Sequence, residues 1–524
     1  MIVLLCKELE RLGDGLDLGE IEHWLGDREP EVEVRKTTGP CERPEECVNP
    51  DLKGADRLVL GLCSANGDRD EIHARARRLG LDPFAMEIVD LGAYCSLVHP
   101  KSQATDKAKL LLGAALAKAR AFTGFRPENT KPVLSLDRQV TRRSLFTLPP
   151  VRYEAVPSVR EEACAAAEGC RVCANLCPWE ALVPSDDGRM TLTKAPCTGC
   201  GACVSICPRE AIDFPGAPLA GIEAQIEVLL DTSPLTLHPR GILFLCPKGG
   251  AALQGLAQRG FSYPAGWLPV EVPCLGMVTP AWILHCLNQG AAAVGLLPCP
   301  REDCRFGQLE VIQGRVDYCR GLLQTIGGTP ESVRLLDPVD AAGLAGDLSS
   351  FPVCEIGEKN AHFQDGPRLA SRATGQTVLE LARRYDAPLD RILVYSHSPL
   401  GVVEFEDGCT VCGACPSACP TGALALERDE EAVSISFDAR ACIGCEACVP
   451  VCPETVVRVE KVTDLRRLSQ GRHVLYQGSE ARCVKCGAPV APRAMLDRLG
   501  DLLGGDAVFS AISRYCLECR KTLQ

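Results

Sequence analysis

Short continuous apolar runs and longer periodic stretches alternate along this chain. IVLL (2–5) and RLVLGL (57–62) read as buried strands, and DKAKLLLGAALAKARAF (106–122) carries helical periodicity. Together they predict an α/β domain over 1–122. Residues 123–155 are rich in Pro and Arg and read as a linker. From 219 to 345, strand-like ILFL (242–245), LPVEV (268–272), AAVGLLP (292–298) and VRLL (333–336) alternate with helix-like stretches. That alternation predicts a second α/β domain with a small, mostly parallel sheet. A connector follows over 346–400, with one helix pattern, TVLELARRY (377–385). Dense cysteine clusters fill 156–217 and 401–462, and a tail over 463–524 holds two further Cys-x-x-Cys pairs.

A chain of 524 residues is too long for one core and suggests roughly three to five domains. Hydrophobic residues at 46% and charged residues at 24% are an ordinary soluble composition. Aromatics at 5% and a formal net charge of -12 argue against a nucleic-acid partner, although an acidic surface can dock on a basic one. No apolar run approaches the roughly 18 to 20 residues of a membrane span. The start, MIVLLCKELERLGDG, has no basic region before its short apolar run, so no secretion signal is expected. VTRRSLF (140–146) resembles a twin-arginine signal only superficially, being internal. A reducing cytoplasm is the expected location, where thiolates stay available for metal.

The chain has 32 cysteines. Three runs share the template Cys-x2-Cys-x2-Cys-x3-Cys-Pro: 197–208, 409–420 and 442–453. A fourth, CAAAEGCRVCANLCP (164–178), is a variant. Three thiolates two residues apart wrap three corners of a cubane, and the fourth, followed by Pro, reaches the neighbouring cluster. The runs come in pairs, because Cys197 lies 33 residues after Cys164 and Cys442 lies 33 after Cys409. Structural zinc needs only four ligands per site and has no use for the repeated Cys-Pro ending. Cross-ligation groups Cys177, Cys197, Cys200 and Cys203, and then Cys164, Cys170, Cys173 and Cys207. In the second pair it groups Cys409, Cys412, Cys415 and Cys452, and then Cys419, Cys442, Cys445 and Cys448. Each pair resembles the bacterial two-cluster ferredoxin family over about 60 residues. The resemblance implies a compact α+β fold, two 4Fe–4S clusters per module and single-electron transfer. The usual ligand position in the variant run is Ala167; Cys164 reaches the site only if the extra residues bulge outward, and otherwise the site holds 3Fe–4S.

In the second α/β region, Cys246, Cys274 and Cys299 each follow a strand, and Cys304 lies five residues beyond Cys299. Open parallel sheets place sites at the carboxyl ends of their strands, so these four have a common edge on which to converge. The rival is that buried cysteine is a small hydrophobe. PCLGMVTPAWILHCLNQGAAAVGLLPCPREDCRFG (273–307) resembles the delta iron–sulfur subunit of methyl-viologen-reducing hydrogenase. That resemblance implies a 2Fe–2S cluster on Cys246, Cys274, Cys299 and Cys304. CPKGG (246–250) lacks a second cysteine that members of that family often have. Cys286 and Cys319 fall in helix patterns and read as core.

At the N-terminus, LGLDPFAMEIVDLGAYCSLVHPKSQATDKAK (79–109) resembles the N-terminal cluster domain of the heterodisulfide reductase A-type chain. The resemblance implies a fifth 4Fe–4S cluster on Cys6, Cys41, Cys63 and Cys95, with Cys47 as the substitute for Cys41. His99 matches the same string and reads as packing. The glycine run GDGLDLG (13–19) lacks the third-glycine spacing and the helix–strand–acid series of a nucleotide loop, so no flavin is expected. In the tail, Cys483, Cys486, Cys516 and Cys519 form two knuckles that fit a tetrahedral ion; zinc is expected, rubredoxin-like iron is the rival, and the fold is zinc-ribbon-like.

The fold class expected is thus multidomain α/β plus α+β. The function expected is a multi-cluster relay, itself non-catalytic, between a flavoprotein or hydrogenase and a heterodisulfide-reductase-like partner. Two rivals stand beside it: an oxidoreductase subunit with its own substrate site, and a redox-sensing zinc-ribbon regulator.

Overall fold

The two apolar runs near the N-terminus form the centre of a sheet. Ile2–Cys6 and Leu58–Leu62 are buried at every position, and Glu33–Thr37 and Met86–Asp90 flank them. All pairings are parallel, in the order Glu33–Thr37, Ile2–Cys6, Leu58–Leu62, Met86–Asp90. A parallel sheet covered on both faces needs apolar residues in both directions. Val3 and Leu5 accordingly enter one core, and Ile2 and Leu4 another. The helix Lys101–Arg120 covers the first face, and Ile72 and Ala76 of the helix Arg69–Arg78 lie in the core of the second. Lys101–Arg120 also packs along Leu219–Leu230, so it is buried almost all round.

This computed structural model describes residues 1–38, 47–63, 69–122, 124, 129–134, 151–231, 235, 237–337, 339–352, 368–429, 432–503, 508–509 and 513–521. The second parallel sheet runs Trp267–Glu271, Gly241–Leu245, Ala293–Leu297, Val333–Leu335. Its order is that of the first: second strand, first, third, fourth. The helices Pro247–Gln258, Pro280–Asn288, Leu309–Ile326 and Ala341–Leu348 belong to the same region.

Between these sheets in sequence, residues 156–217 form short antiparallel pairs. Ser158–Val159 pairs with Ile212–Asp213, and Leu182–Pro184 with Met190–Leu192. Residues 401–462 repeat the plan with longer ladders, Val402–Phe405 with Val457–Glu460 and Leu424–Arg428 with Ala432–Phe437. The second ladder continues into His473–Arg482 and then Pro489–Pro492, so the tail shares a four-stranded antiparallel sheet with this stretch. Within the stretch read as a linker, Thr130–Leu134 and Val151–Ala155 pair antiparallel. VTRRSLF lies outside the described residues. The expected helix in the connector is Thr374–Arg384, and it packs on Pro280–Asn288. Among the described residues no helix is long and apolar enough to cross a membrane.

Candidate metal centres

At the carboxyl end of the first sheet, Cys6 and Cys63 leave neighbouring strands with their Sγ atoms 3.6 Å apart. Cys95 lies in the turn Gly92–Ser96, and all three share one core. Gly92 sits against the Cys63 carbonyl so closely that any side chain would collide with it. The Cys63 thiol pulls Cys6 down to about 6, whereas burial pushes Cys95 up to about 12 against the opposing charge of Lys107. His99 is buried, 3.0 Å from Lys107 Nζ and edge-on to Tyr263. The glycine run 13–19 is followed by the helix Leu18–Arg28 and the strand Glu33–Thr37, which corrects the expectation that no such elements follow it. Its Asp14 amide donates to Ser96 O at 3.2 Å, so the run buttresses the Cys95 turn. Cys41 lies outside the described residues. Cys47 is buried in the other core, with Ile2, Leu4 and Leu52, apart from Cys6, Cys63 and Cys95.

The second sheet gathers four cysteines at the same edge. Cys246 is the N-cap of Pro247–Gln258, Cys274 precedes the turn Leu275–Met277, and Cys299 and Cys304 follow Ala293–Leu297. Their thiols are neighbours in the order Cys246, Cys299, Cys304, Cys274, each perturbing the ionisation of the next. Among them Cys246 and Cys304 are held below the ordinary thiol range by their thiol neighbours, while Cys274 and Cys299 are driven above it. The Gly307 amide donates to Cys304 Sγ at 3.4 Å. Cys286 and Cys319 stand apart in their helices, fully buried, with burial raising both thiols.

In residues 156–217, Cys164, Cys170, Cys173 and Cys207 line one cavity, closed by Val159, Met190 and Ile212. The route that brings Cys164 in is a tight turn, in which Ala165 O accepts from both Glu168 N and Cys170 N. Ala167 instead lines an outer groove with Glu161 and Asp187. The other four cysteines are charged neighbours of one another and of the first set: Cys203 is raised by burial and then by Cys200, by Cys173 of the first set, and by Cys197 and Cys177. In 401–462 burial pushes Cys415 up to about 12, reinforced by Cys409, by Cys448 of the neighbouring set, and by Cys412 and Cys452, and Cys448 up to about 12, reinforced by Cys445 and Cys419. Crowded buried thiols disfavour their own ionisation, and a bound cation reverses that by taking the thiolate form. Soft sulfur donors in fours around a space suit iron–sulfur centres.

The tail differs in scale. The ligand atoms of Cys483, Cys486, Cys516 and Cys519 all lie within 4.8 Å of one another. Cys486 Sγ is 3.6 Å from Cys516 Sγ and from Cys519 Sγ. A tetrahedral ion with metal–sulfur bonds of about 2.3 Å sets its sulfurs roughly 3.8 Å apart, so this group is sized for one ion.

The cysteine sets adjoin one another through specific contacts. Arg305 O, next to Cys304, accepts from Thr198 Oγ1 at 2.7 Å and from Trp179 Nε1 at 2.9 Å. Thr198 is next to Cys197, and Trp179 is two residues past Cys177. Ser371 Oγ donates at 2.9 Å to Ile206 O, beside Cys207. One helical turn on, Gly375 abuts the Arg440 carbonyl, two residues before Cys442. Cys445 is raised by burial, by Cys419, and by Cys170 of the first stretch.

Residues 242–351 match the methyl-viologen-reducing hydrogenase delta-subunit family. That span holds all four strand-end cysteines. Residues 408–456 match a 4Fe–4S dicluster domain and 194–213 a 4Fe–4S binding domain, the latter beginning after the variant run. The chain is 36% identical over 77 residues to the D-type iron–sulfur subunit of the F420-non-reducing hydrogenase of Archaeoglobus profundus, covering 14% of this chain and 56% of that one. It is 28% identical over 134 residues to the A-type subunit of the ferredoxin/F420H2-dependent CoB–CoM heterodisulfide reductase of Methanosarcina acetivorans, covering 25% and 17%. It is 31% identical over 118 residues to the polyferredoxin MvhB of Methanothermus fervidus, covering 22% and 26%. The chain therefore spans about a sixth of that reductase polypeptide and about a quarter of that polyferredoxin. It is an iron–sulfur protein with 4Fe–4S ferredoxin domains and a hydrogenase delta-subunit domain, related to heterodisulfide reductase and hydrogenase electron-transfer subunits.

Proposed function

We propose that this chain is a multi-cluster subunit that relays single electrons between a flavoprotein or hydrogenase and a heterodisulfide-reductase-like partner. The observation that carries the reading is the adjacency of successive cysteine sets, through Arg305 with Thr198 and through Ser371 and Gly375 with the two ferredoxin stretches. Cys164, Cys170, Cys173 and Cys207 hold one 4Fe–4S cluster, and Cys177, Cys197, Cys200 and Cys203 a second. Cys409, Cys412, Cys415 and Cys452 hold a third, and Cys419, Cys442, Cys445 and Cys448 a fourth. Cys6, Cys41, Cys63 and Cys95 hold a fifth, and Cys246, Cys274, Cys299 and Cys304 hold 2Fe–2S. When bound, such groups supply one-electron chemistry. The protein's own part is to fix the thiols, bury them and keep neighbouring sets in register. Cys483, Cys486, Cys516 and Cys519 hold a structural zinc that clasps the tail to the sheet it shares.

The test is anaerobic purification of the full chain, with iron, sulfide, zinc and flavin counted. About 16 irons are needed for the four ferredoxin clusters, about four more for the N-terminal site and about two for the strand-end site. A folded preparation with far fewer than about 16 irons sinks the reading. Pair chemistry requires a partner's cofactor. The chain alone should therefore accept electrons from dithionite or viologen yet turn over no disulfide or nicotinamide; unaided turnover would favour a substrate site of its own.

A further inference from the structure

Arg315 is a buried cation at the meeting of two cysteine sets. It lies on the helix Leu309–Ile326 and is 8% exposed. Its Nη1 donates to Gly276 O at 2.8 Å and to Val278 O at 3.0 Å. Those carbonyls belong to the turn that leaves Cys274. The guanidinium also lies 6.0 Å from the ring centroid of Phe306, two residues past Cys304. Met277, in the same turn, packs on Gly201, between Cys200 and Cys203.

A buried cation is unfavourable unless an opposite charge answers it. Burial lowers Arg315 to about 10, and the charges that oppose this are Cys274, Cys200 and Cys319. Among the described residues no carboxylate is one of them. Cys319 belongs to no four-cysteine set, whereas Cys274 and Cys200 each belong to one, and a bound cation would take their thiolate form. The guanidinium stays protonated at neutral pH.

We propose that Arg315 is a shared counter-charge for the set Cys246, Cys274, Cys299 and Cys304 and the set Cys177, Cys197, Cys200 and Cys203, and that it makes both easier to reduce. This rests on the reading that both sets hold iron–sulfur clusters. Reduction adds one electron and one negative charge to a site, and a fixed cation beside it stabilises that charge. Two carbonyl bonds fix where the charge sits, and one cation answers two sites because the Cys274 turn also packs on the Cys200 loop.

The experiment is a redox titration of the anaerobic full chain, followed by electron paramagnetic resonance. Wild type is first counted for iron and sulfide, so failure of the cluster reading shows there, before any variant is compared. R315Q should shift the reduction equilibrium of both sites about tenfold toward the oxidised form, a midpoint lower by about 59 mV for one electron. The Cys409, Cys412, Cys415 and Cys452 site, none of whose cysteines is among the charges that act on Arg315, should not move. R315K keeps the charge and should hold both midpoints within about twofold of wild type. Unmoved midpoints in a fully loaded R315Q overturn the proposal, as does an equal shift at every site. A tenfold fall in R315K also overturns it, because the carbonyl bonds rather than the charge would then be responsible. If R315Q does not fold, R315M, which also removes the charge but keeps an apolar stem in the buried site, is titrated in its place on the R315Q criterion.

Discussion

The two parallel sheets share one strand order and arrange different thiols around it. In each, the first and third strands lie side by side, and each of those strands delivers a cysteine to the carboxyl edge: Cys6 and Cys63 in one, Cys246 and Cys299 in the other. That is the switch point of an open sheet, where connections leave to opposite faces and open a crevice. The remaining cysteines differ. The second sheet adds Cys274 after its second strand and a second cysteine, Cys304, after its third. The first adds Cys95 after its fourth strand, and the candidate after its second is Cys41. Topology thus fixes where a site forms, and loop sequence decides how many thiols each strand supplies. The charged surroundings diverge too, with buried Lys107 beside Cys95 and buried Arg315 beside Cys274.

The contrast breaks most severely at Gly92. Its Cα faces the Cys63 carbonyl with no room for a methyl group, so Gly92→Ala must push the Cys95 turn off the strand edge. We expect a loss of about four irons and roughly 2–4 kcal/mol of stability, by analogy with other forced overpacking. Metal analysis with denaturant unfolding reads both. Full iron content in the variant would show that Cys95 is no donor.

Cys299 is the matching point in the second sheet, since Cys246 and Cys304 both act on its thiol. Cys299→Ser should remove about two irons and the associated absorbance while the N-terminal site survives. Cys286→Ser, in a neighbouring helix, should change neither. Equal losses from both variants would mean that the region responds to packing rather than to ligation.

One topology with a displaced donor recurs inside residues 156–217. The regular runs enter with Cys-x-x-Cys, but here Cys164 reaches the cavity by the turn through Ala165, while Ala167 faces outward. Cys164→Ala should cost about one iron and leave a 3Fe–4S resonance. An unchanged spectrum would exclude Cys164 as a ligand.

The central strands were legible in the sequence because a strand buried on both faces is a continuous apolar run, as in Ile2–Cys6 and Gly241–Leu245. Glu33–Thr37 was not legible. It is an edge strand of exposed and half-buried residues, and its sequence EVRKT carries no such signal. The helix Leu18–Arg28 hid behind a glycine-rich entry whose pattern resembles a loop. Cysteine spacing grouped the ferredoxin sets, yet no local pattern reveals that the tail extends the sheet of residues 401–462, since that pairing joins segments far apart in sequence. Arg315 was missed although it had a signal: it lies on the buried stripe of its helix with Ile312, Cys319 and Leu322. A cation at an apolar position asks for a partner.

The smallest expected effect separates Cys41 from Cys47. Cys47 is 3% exposed and packs with Val48 and Leu52 in the core that also takes Ile2 and Leu4. Cys6, Cys63 and Cys95 belong to the core on the other side of the sheet. A donor to their site must reach the carboxyl edge, and Cys47 lies in the core on the opposite side of the sheet. Cys47→Ala should therefore cost about 1 kcal/mol for a small void and leave the iron count unchanged. Cys41→Ala should do the reverse, removing about four irons from the N-terminal site with little further change in the second core. Denaturant unfolding and metal analysis of the two variants side by side distinguish the roles. If Cys47→Ala loses the four irons and Cys41→Ala keeps them, the fourth donor is Cys47, and the first sheet draws its donors from a longer reach of the loop after its second strand than the second sheet does.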